Sequence, residues 1–127
     1  MNAAMTPWLV VFVGGGLGSM LRHGVNVSAA RLFGTGFPFG TLIANVTGCF
    51  VMGLFAGYFA FRGDASQTWR LFLMTGVLGG YTTFSAFSLD ALLLYERGQA
   101  GLAALYVVAS VGCALLGVVI GMAPTRG

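Results

Sequence analysis

The chain has 127 residues, of which 57% are hydrophobic and only 7% are charged, and its mean hydropathy is +0.90. This composition predicts an all-α integral membrane protein and argues against a soluble domain. The net charge of +3 comes from six arginines against three acidic residues, which are too few and too scattered for a nucleic-acid surface.

The first apolar run covers residues 7–21 and ends at Arg22. Its segment GGGLGSM, residues 14–20, is rich in small residues, which favours close packing of this helix against another backbone. The following stretch, residues 25–37, is less apolar and contains an arginine and two glycines. We therefore expect a short interfacial helix and a loop there.

Three further apolar runs follow along the chain. The second run covers residues 38–61, and at ~1.5 Å per residue it can cross a hydrocarbon core of about 30 Å. A polar loop at residues 62–68 precedes the third run, residues 71–95, and a turn at residues 96–98 precedes the fourth, residues 101–122. The sequence thus predicts four transmembrane helices in a single domain that comprises the whole chain.

The third run contains an unusual decad near its middle, GGYTTFSAFS at residues 79–88. Each glycine weakens a helix by roughly 1 kcal/mol relative to alanine, and hydrocarbon cannot satisfy the hydroxyl groups. Irregular backbone is tolerated at membrane depth only where protein buries it or where it lines a wet cavity. The decad is therefore a candidate permeation or ion-binding site.

The arginines carry little information about orientation. With four spans they divide equally between the two faces of the membrane, Arg22, Arg31 and Arg97 on one and Arg62, Arg70 and Arg126 on the other. The positive-inside rule then has almost no bias to act on, so we expect insertion in both orientations. Such a chain can pair with its inverted copy about a two-fold axis in the membrane plane. A weakly specified single topology is the alternative.

The second and fourth runs contain polar and thiol side chains whose roles have to be assigned. Asn45 lies near the middle of its run, with Thr41 one turn earlier on the same face. The Asn45 amide either donates to a passing anion or ties two helices together. Cys49 and Cys113 lie in apolar segments and behave as small hydrophobes, so neither is assigned as a disulfide, a metal ligand or a nucleophile.

The chain resembles the fluoride-specific ion channels of bacteria, the Fluc or CrcB family. Four segments carry the resemblance: GGGLGSMLR, PFGTLIANVTG, TGVLGGYTTFSAFS and a serine-containing fourth run. The resemblance implies an antiparallel, dual-topology homodimer with two narrow fluoride pathways. It implies passive, fluoride-specific export of F⁻ across the bacterial cytoplasmic (inner) membrane, which gives fluoride resistance. Lipid and fluoride are then the partners, and the chain is neither an enzyme nor a nucleic-acid binder.

The same resemblance implies that the third helix is broken at the glycine pair, in the middle of the membrane. Main-chain carbonyls of Gly79 and Thr82 from both subunits would hold a structural Na⁺ that is not transported. Carbonyls released by a helix break are hard oxygen ligands suited to such an ion. Without the family pattern, a packing kink with no ion is the simpler interpretation.

Side chains for the pathway also follow from the resemblance, which implicates Asn45, Phe84, Phe87, Ser110, Tyr106 and Thr41. Phenylalanine ring edges are positive and can accompany an anion, and the polar side chains can donate hydrogen bonds to it. Asp90, where relatives often have Glu, and Arg22, at the end of the first run, are vestibule candidates, although Arg22 would equally serve as a headgroup anchor. Ala114 stands where many relatives carry a second hydroxyl.

Two other kinds of protein fit part of the pattern. A small multidrug transporter also has four spans, but it needs a membrane-embedded carboxylate, and Asp90 is the only one available. A non-transporting assembly subunit is the second alternative. In that case Asn45 and the hydroxyl groups would only join helices.

Overall fold

The structure is a computed structural model that describes residues 3–62 and 67–126. Helices account for nearly all of these two ranges, so the prediction of an all-α protein is confirmed. The described helices are α1 (Thr6–Phe33), α2 (Phe39–Arg62), α3 (Gln67–Arg70), a π-helical segment (Leu71–Leu78), α4 (Gly79–Tyr81), α5 (Ser85–Glu96) and α6 (Ala100–Arg126).

The first helix, α1, is continuous over 28 residues, which corresponds to about 42 Å at ~1.5 Å per residue. The prediction that this helix ends before Arg22 was therefore wrong. The polarity of residues 22–26 lowers the hydropathy but does not end the helix, and the side chain of Arg22 has a carbonyl partner inside the protein. It ends at Gly34, which has a φ of 79° and donates its amide hydrogen to the Ala30 carbonyl at 2.9 Å.

Three of the described helical stretches are long and apolar enough to cross a membrane, namely Phe39–Phe59, Gln67–Glu96 and Ala100–Pro124. They coincide with the second, third and fourth apolar runs. The chain is accordingly a multi-pass membrane protein. Because α1 is not among the three stretches, the fourth span stays a prediction.

Helix boundaries differ from the predicted ones mainly around the polar loop. Helix α3 begins at Gln67, inside the predicted loop, and residues 63–66 of that loop lie outside the described residues. Helix α2 matches its predicted run to within one residue at each end. Helix α6 extends four residues beyond the predicted end, with Pro124 inside it.

Glycines allow the helices to pack backbone against backbone. On α1, a Cβ atom at Gly14 would lie 2.7 Å from the Phe72 carbonyl oxygen, and one at Gly18 would lie 2.8 Å from the Tyr81 amide nitrogen. The close packing predicted from GGGLGSM is thus confirmed. Helix α2 packs along α6 in the same way, with Gly53 facing the Val118 backbone. Small residues at helix contacts are typical of proteins in lipid.

Candidate functional site

The third apolar run is interrupted between α4 and α5. Thr82 is extended, with a φ of −87° and a ψ of 158°, and the helix resumes at Ser85. Gly79 has helical angles, φ −62° and ψ −38°, and Gly80 also lies within α4. The prediction that the glycine pair itself breaks the helix was therefore wrong, since the break comes after it. Gly80 allows close packing against α1, because a Cβ atom there would collide with the backbone of Gly15.

The side chain of Asn45 on α2 binds the backbone at the break. Its amide nitrogen donates to the Thr83 carbonyl at 2.9 Å, and its side-chain oxygen accepts from the Thr83 amide at 2.7 Å. The side chain thus replaces, at Thr83, both hydrogen bonds that a helix would have made for this residue. Of the two roles that the sequence left open for Asn45, the structure demonstrates the joining of two segments.

Two carbonyls lose their usual helical donors at the break. In a continuous helix the Thr83 amide would donate to the Gly79 carbonyl, but here it donates to Asn45. The Ala86 amide would likewise donate to the Thr82 carbonyl, but it donates to the Thr83 hydroxyl at 3.1 Å. The carbonyls of Gly79 and Thr82, the two predicted ion ligands, therefore lack the amide donors that an unbroken helix supplies.

Arg22 contacts the same region from α1. Its Nε donates to the Gly80 carbonyl at 3.3 Å, just before the break. The helix does not end at Arg22, because α1 continues for eleven residues beyond it. An arginine within a membrane protein is costly unless it is paired, and the Gly80 carbonyl is a partner within the protein. Its vestibule role stays a prediction.

A cavity of about 440 Å³ opens beside the break. Its walls come from α2, the third run and α6. Six of the ten predicted site residues line this cavity, namely Asn45, Gly79, Thr82, Phe84, Phe87 and Ser110. Ala114, one turn after Ser110 on α6, lines it as well and contributes only a methyl group. The structure thus brings together residues from three separate segments of the sequence.

The polar and aromatic groups of this cavity have contrasting environments. The Phe84 and Phe87 rings lie 5.6 Å apart at 50°, with Phe84 77% exposed and Phe87 buried. Ser110 is also buried, and its hydroxyl oxygen has no hydrogen-bond partner within the described residues. A buried hydroxyl without a partner is unusual, so Ser110 has capacity to bind a group that enters the cavity.

Apart from Arg22, the remaining predicted residues form a second cluster, centred on Asp90 of α5. One carboxylate oxygen of Asp90 accepts hydrogen bonds from the Thr41 hydroxyl at 2.8 Å and from the Tyr106 hydroxyl at 3.3 Å. Tyr106 is fully buried, and its ring packs against Phe87 with centroids 5.2 Å apart. Thr41 and Asp90 line a separate cavity of about 300 Å³. In this arrangement both hydroxyl groups donate to the Asp90 carboxylate and neither donates to a passing ion.

Comparison with known proteins bears on this arrangement. The family model described as "CrcB-like protein, Camphor Resistance (CrcB)" matches residues 9–122, which include α2, the break and nearly all of α6. The chain belongs to the CrcB-like family. The resemblance stated from the sequence motifs is thereby confirmed.

Several relatives of this CrcB-like chain are similar over almost their entire length. A protein of Nitrobacter hamburgensis named fluoride-specific ion channel FluC 2 is 66% identical over 94% of this chain and 96% of its own. A protein of Rhodopseudomonas palustris (strain BisB5) named fluoride-specific ion channel FluC is 63% identical over the same shares. A third, of Methylobacterium nodulans and with the latter name, is 59% identical over 96% of this chain and 98% of its own.

Sequence reasoning missed two residues of the candidate site in this CrcB-like chain. Thr83 pairs with Asn45 through its backbone, and its hydroxyl accepts from the Ala86 amide in the first turn of α5. Its place two residues before a helix start, in a run of hydroxyl residues, was a usable signal. Cys49 lines the 440 Å³ cavity one turn after Asn45, and only its helical spacing from Asn45 could have indicated this.

Proposed function

We propose that this CrcB-like chain is a fluoride-specific ion channel that passively exports F⁻ across the bacterial inner membrane. The observation that carries the proposal is the 440 Å³ cavity, in which Asn45, Phe84, Phe87 and Ser110 meet beside a helix break. Its close relatives are named as fluoride-specific channels, which supports the same assignment and a channel in place of an enzyme.

The cavity has chemistry suited to a small anion. The Ser110 hydroxyl is buried without a partner, so it can replace part of the hydration shell of fluoride. The ring edges of Phe84 and Phe87 carry partial positive charge and attract an anion more weakly than a cationic side chain would. Weak, successive contacts favour conduction because an ion must also leave each of them. Thr41 and Tyr106 would join the pathway by turning their hydroxyls away from Asp90.

The driving force is the membrane potential. Fluoride enters acidified surroundings as neutral HF and is trapped as F⁻ after ionisation in the neutral cytoplasm. An inside-negative potential favours the exit of one anionic charge by about 2.3 kcal/mol per 100 mV. Export through a channel therefore needs no coupling to protons or ATP, and it lowers cytoplasmic fluoride.

A second, inverted copy would complete the pathway. In the single chain Phe84 is 77% exposed although it lines the cavity, so one side of the cavity has no protein wall. An antiparallel homodimer supplies that wall, and the equal division of arginines over the two faces is compatible with insertion in both orientations. The assembly has four spans per chain, with α1 as the first.

A structural Na⁺ fits the break. The carbonyls of Gly79 and Thr82 have lost their helical amide donors, and both residues border the same cavity. Carbonyl oxygens are hard ligands suited to an alkali cation, and pairs from two subunits would give it four of them. The ion would neutralise the partial negative charges of these carbonyls and would not itself be transported.

Flux from liposomes tests the function. Purified protein in liposomes is expected to release fluoride when an ionophore clamps the potential, and to release no chloride under the same conditions. Fluoride and chloride electrodes record the two fluxes. Equal release of both anions would contradict selectivity, and no fluoride release from correctly folded dimer would favour the assembly-subunit alternative. Proton flux driven by a cationic drug would favour the transporter alternative.

Removal of sodium tests the metal site. If protein is purified and assayed with N-methyl-D-glucamine in place of Na⁺ at constant ionic strength, fluoride flux is expected to fall strongly, because the break carbonyls lose their cation. Returning Na⁺ should restore the flux. Constant ionic strength excludes simple charge screening as the cause. Full flux after exhaustive sodium exchange would contradict a structural role for the ion.

A further inference from the structure

The two cysteines of the chain differ in their relation to the 440 Å³ cavity. Cys49 is half-buried and lines the cavity one helical turn after Asn45, together with Gly79 and Thr82. Cys113, on α6, is exposed and does not line it. Sequence alone assigned neither thiol a role, because both lie in apolar segments. The structure distinguishes them.

Ser110 indicates independently that the cavity admits a polar guest. Ser110 lines the same cavity as Cys49 and is 4% exposed, and its buried hydroxyl oxygen has no partner within the described residues. Burial of an unsatisfied hydroxyl is costly, so water or an anion is expected to reach it. A small reagent that enters with water then also meets the Cys49 sulfur. Room for such a reagent is available, because the cavity is many times the volume of one water molecule.

We propose that Cys49 is a covalent modification site for small thiol-reactive electrophiles, and that its modification blocks the anion pathway. This inference rests on the proposed function, since it is the cavity of that pathway that would be filled. The adduct would occupy part of the cavity that Asn45, Gly79 and Thr82 also line. Because a selective pore is narrow, even a small added group is expected to block the anion pathway.

Methyl methanethiosulfonate provides the simplest version of this chemistry. The Cys49 thiol first loses its proton to water, and the thiolate attacks the sulfenyl sulfur of the reagent. A new disulfide to the methylthio group forms, the bond from that sulfur to the sulfonyl group breaks, and methanesulfinate leaves with the electron pair. Dithiothreitol reverses the reaction by thiol–disulfide exchange. The reagent is neutral and crosses lipid, so the orientation of the protein does not matter.

The experiment uses full-length protein in liposomes and three forms of it, the wild type, Cys49→Ser and Cys113→Ser. Fluoride flux is measured for each form before the reagent, after it and after dithiothreitol, and intact-mass spectrometry with peptide mapping locates the methylthio groups. Wild type and Cys113→Ser are expected to lose nearly all of their own untreated flux and to regain it with dithiothreitol. Cys49→Ser is expected to keep its own untreated flux.

The other possible outcomes contradict either the inference about Cys49 or the proposed function. Labelling of Cys49 with unchanged flux, absence of labelling at Cys49, or equal loss of flux in Cys49→Ser would overturn the inference. Lack of fluoride flux before any reagent is added would instead contradict the proposed function, and the inference with it. The untreated measurement therefore separates the two failures.

Discussion

Replacement of Asn45 with aspartate is expected to remove most fluoride flux while the protein still folds. The carboxylate has the same shape and can accept from the Thr83 amide, but it cannot donate to the Thr83 carbonyl as the amide does at 2.9 Å. It also places negative charge in the cavity that an anion has to cross. An increase of about 1.4 kcal/mol in the free-energy barrier to ion passage lowers the rate tenfold, and repulsion between like charges in close contact raises the barrier by more than that.

The matched control is Gln99→Glu, the same exchange of amide for carboxylate at an exposed position just before α6. Electrode recordings from liposomes give the flux, and elution of the dimer from a sizing column gives the assembly. We expect Gln99→Glu to conduct like the wild type. If Asn45→Asp conducts equally well, Asn45 is only a joint between α2 and the break, and the pathway assignment fails.

Replacement of Gly18 with alanine is expected to destabilise the protein, whereas Gly16→Ala, two residues earlier in the same motif, is expected to be tolerated. A Cβ atom at Gly18 would lie 2.9 Å from the Val77 carbonyl carbon and 2.8 Å from the Tyr81 amide nitrogen. Both are backbone atoms, which cannot rotate away, so the helices must separate. Overpacking of this kind typically costs about 1–3 kcal/mol. No atom lies within 4 Å of a Cβ atom at Gly16.

Unfolding in sodium dodecyl sulfate, followed by circular dichroism, measures the difference. Gly18→Ala should unfold at lower detergent fraction than the wild type, and Gly16→Ala should unfold at the same or a higher fraction, because alanine is the better helix former by about 0.5–1 kcal/mol. Because Tyr81 immediately precedes the break, the flux of Gly18→Ala should fall as well. Equal destabilisation by both substitutions would mean that the packing of α1 is not as described.

Composition predicted three of the long helices, and motifs grouped residues that the fold places around one cavity. Asn45, Phe84, Phe87 and Ser110 were assigned from the resemblance, and the fold brings them to one cavity. The continuity of α1 was missed because hydropathy falls at Arg22, and hydropathy does not register a carbonyl partner 58 residues away. A local scale measures the cost of a polar side chain and not the tertiary contact that offsets it.

The position of the break also depends on a tertiary contact that the local sequence does not show. Two adjacent glycines predict the weakest point of a helix, but Gly79 keeps helical angles. The break forms at Thr82, because the side chain of Asn45 from another helix binds both backbone groups of Thr83. The π-helical segment before it was also not predicted, since a wider helical turn of this kind has no distinctive composition.

The pairing of Asn45 with Thr83 has a consequence for biogenesis. The backbone groups at the break are costly in lipid until Asn45 binds them, and Asn45 precedes Thr83 by 38 residues. Synthesis from the N-terminus therefore delivers α2 to the translocon first, and the segment with the unpaired groups emerges next to a partner that has already been inserted. A circular permutant that begins after α2 would reverse this order and would expose the break during its insertion.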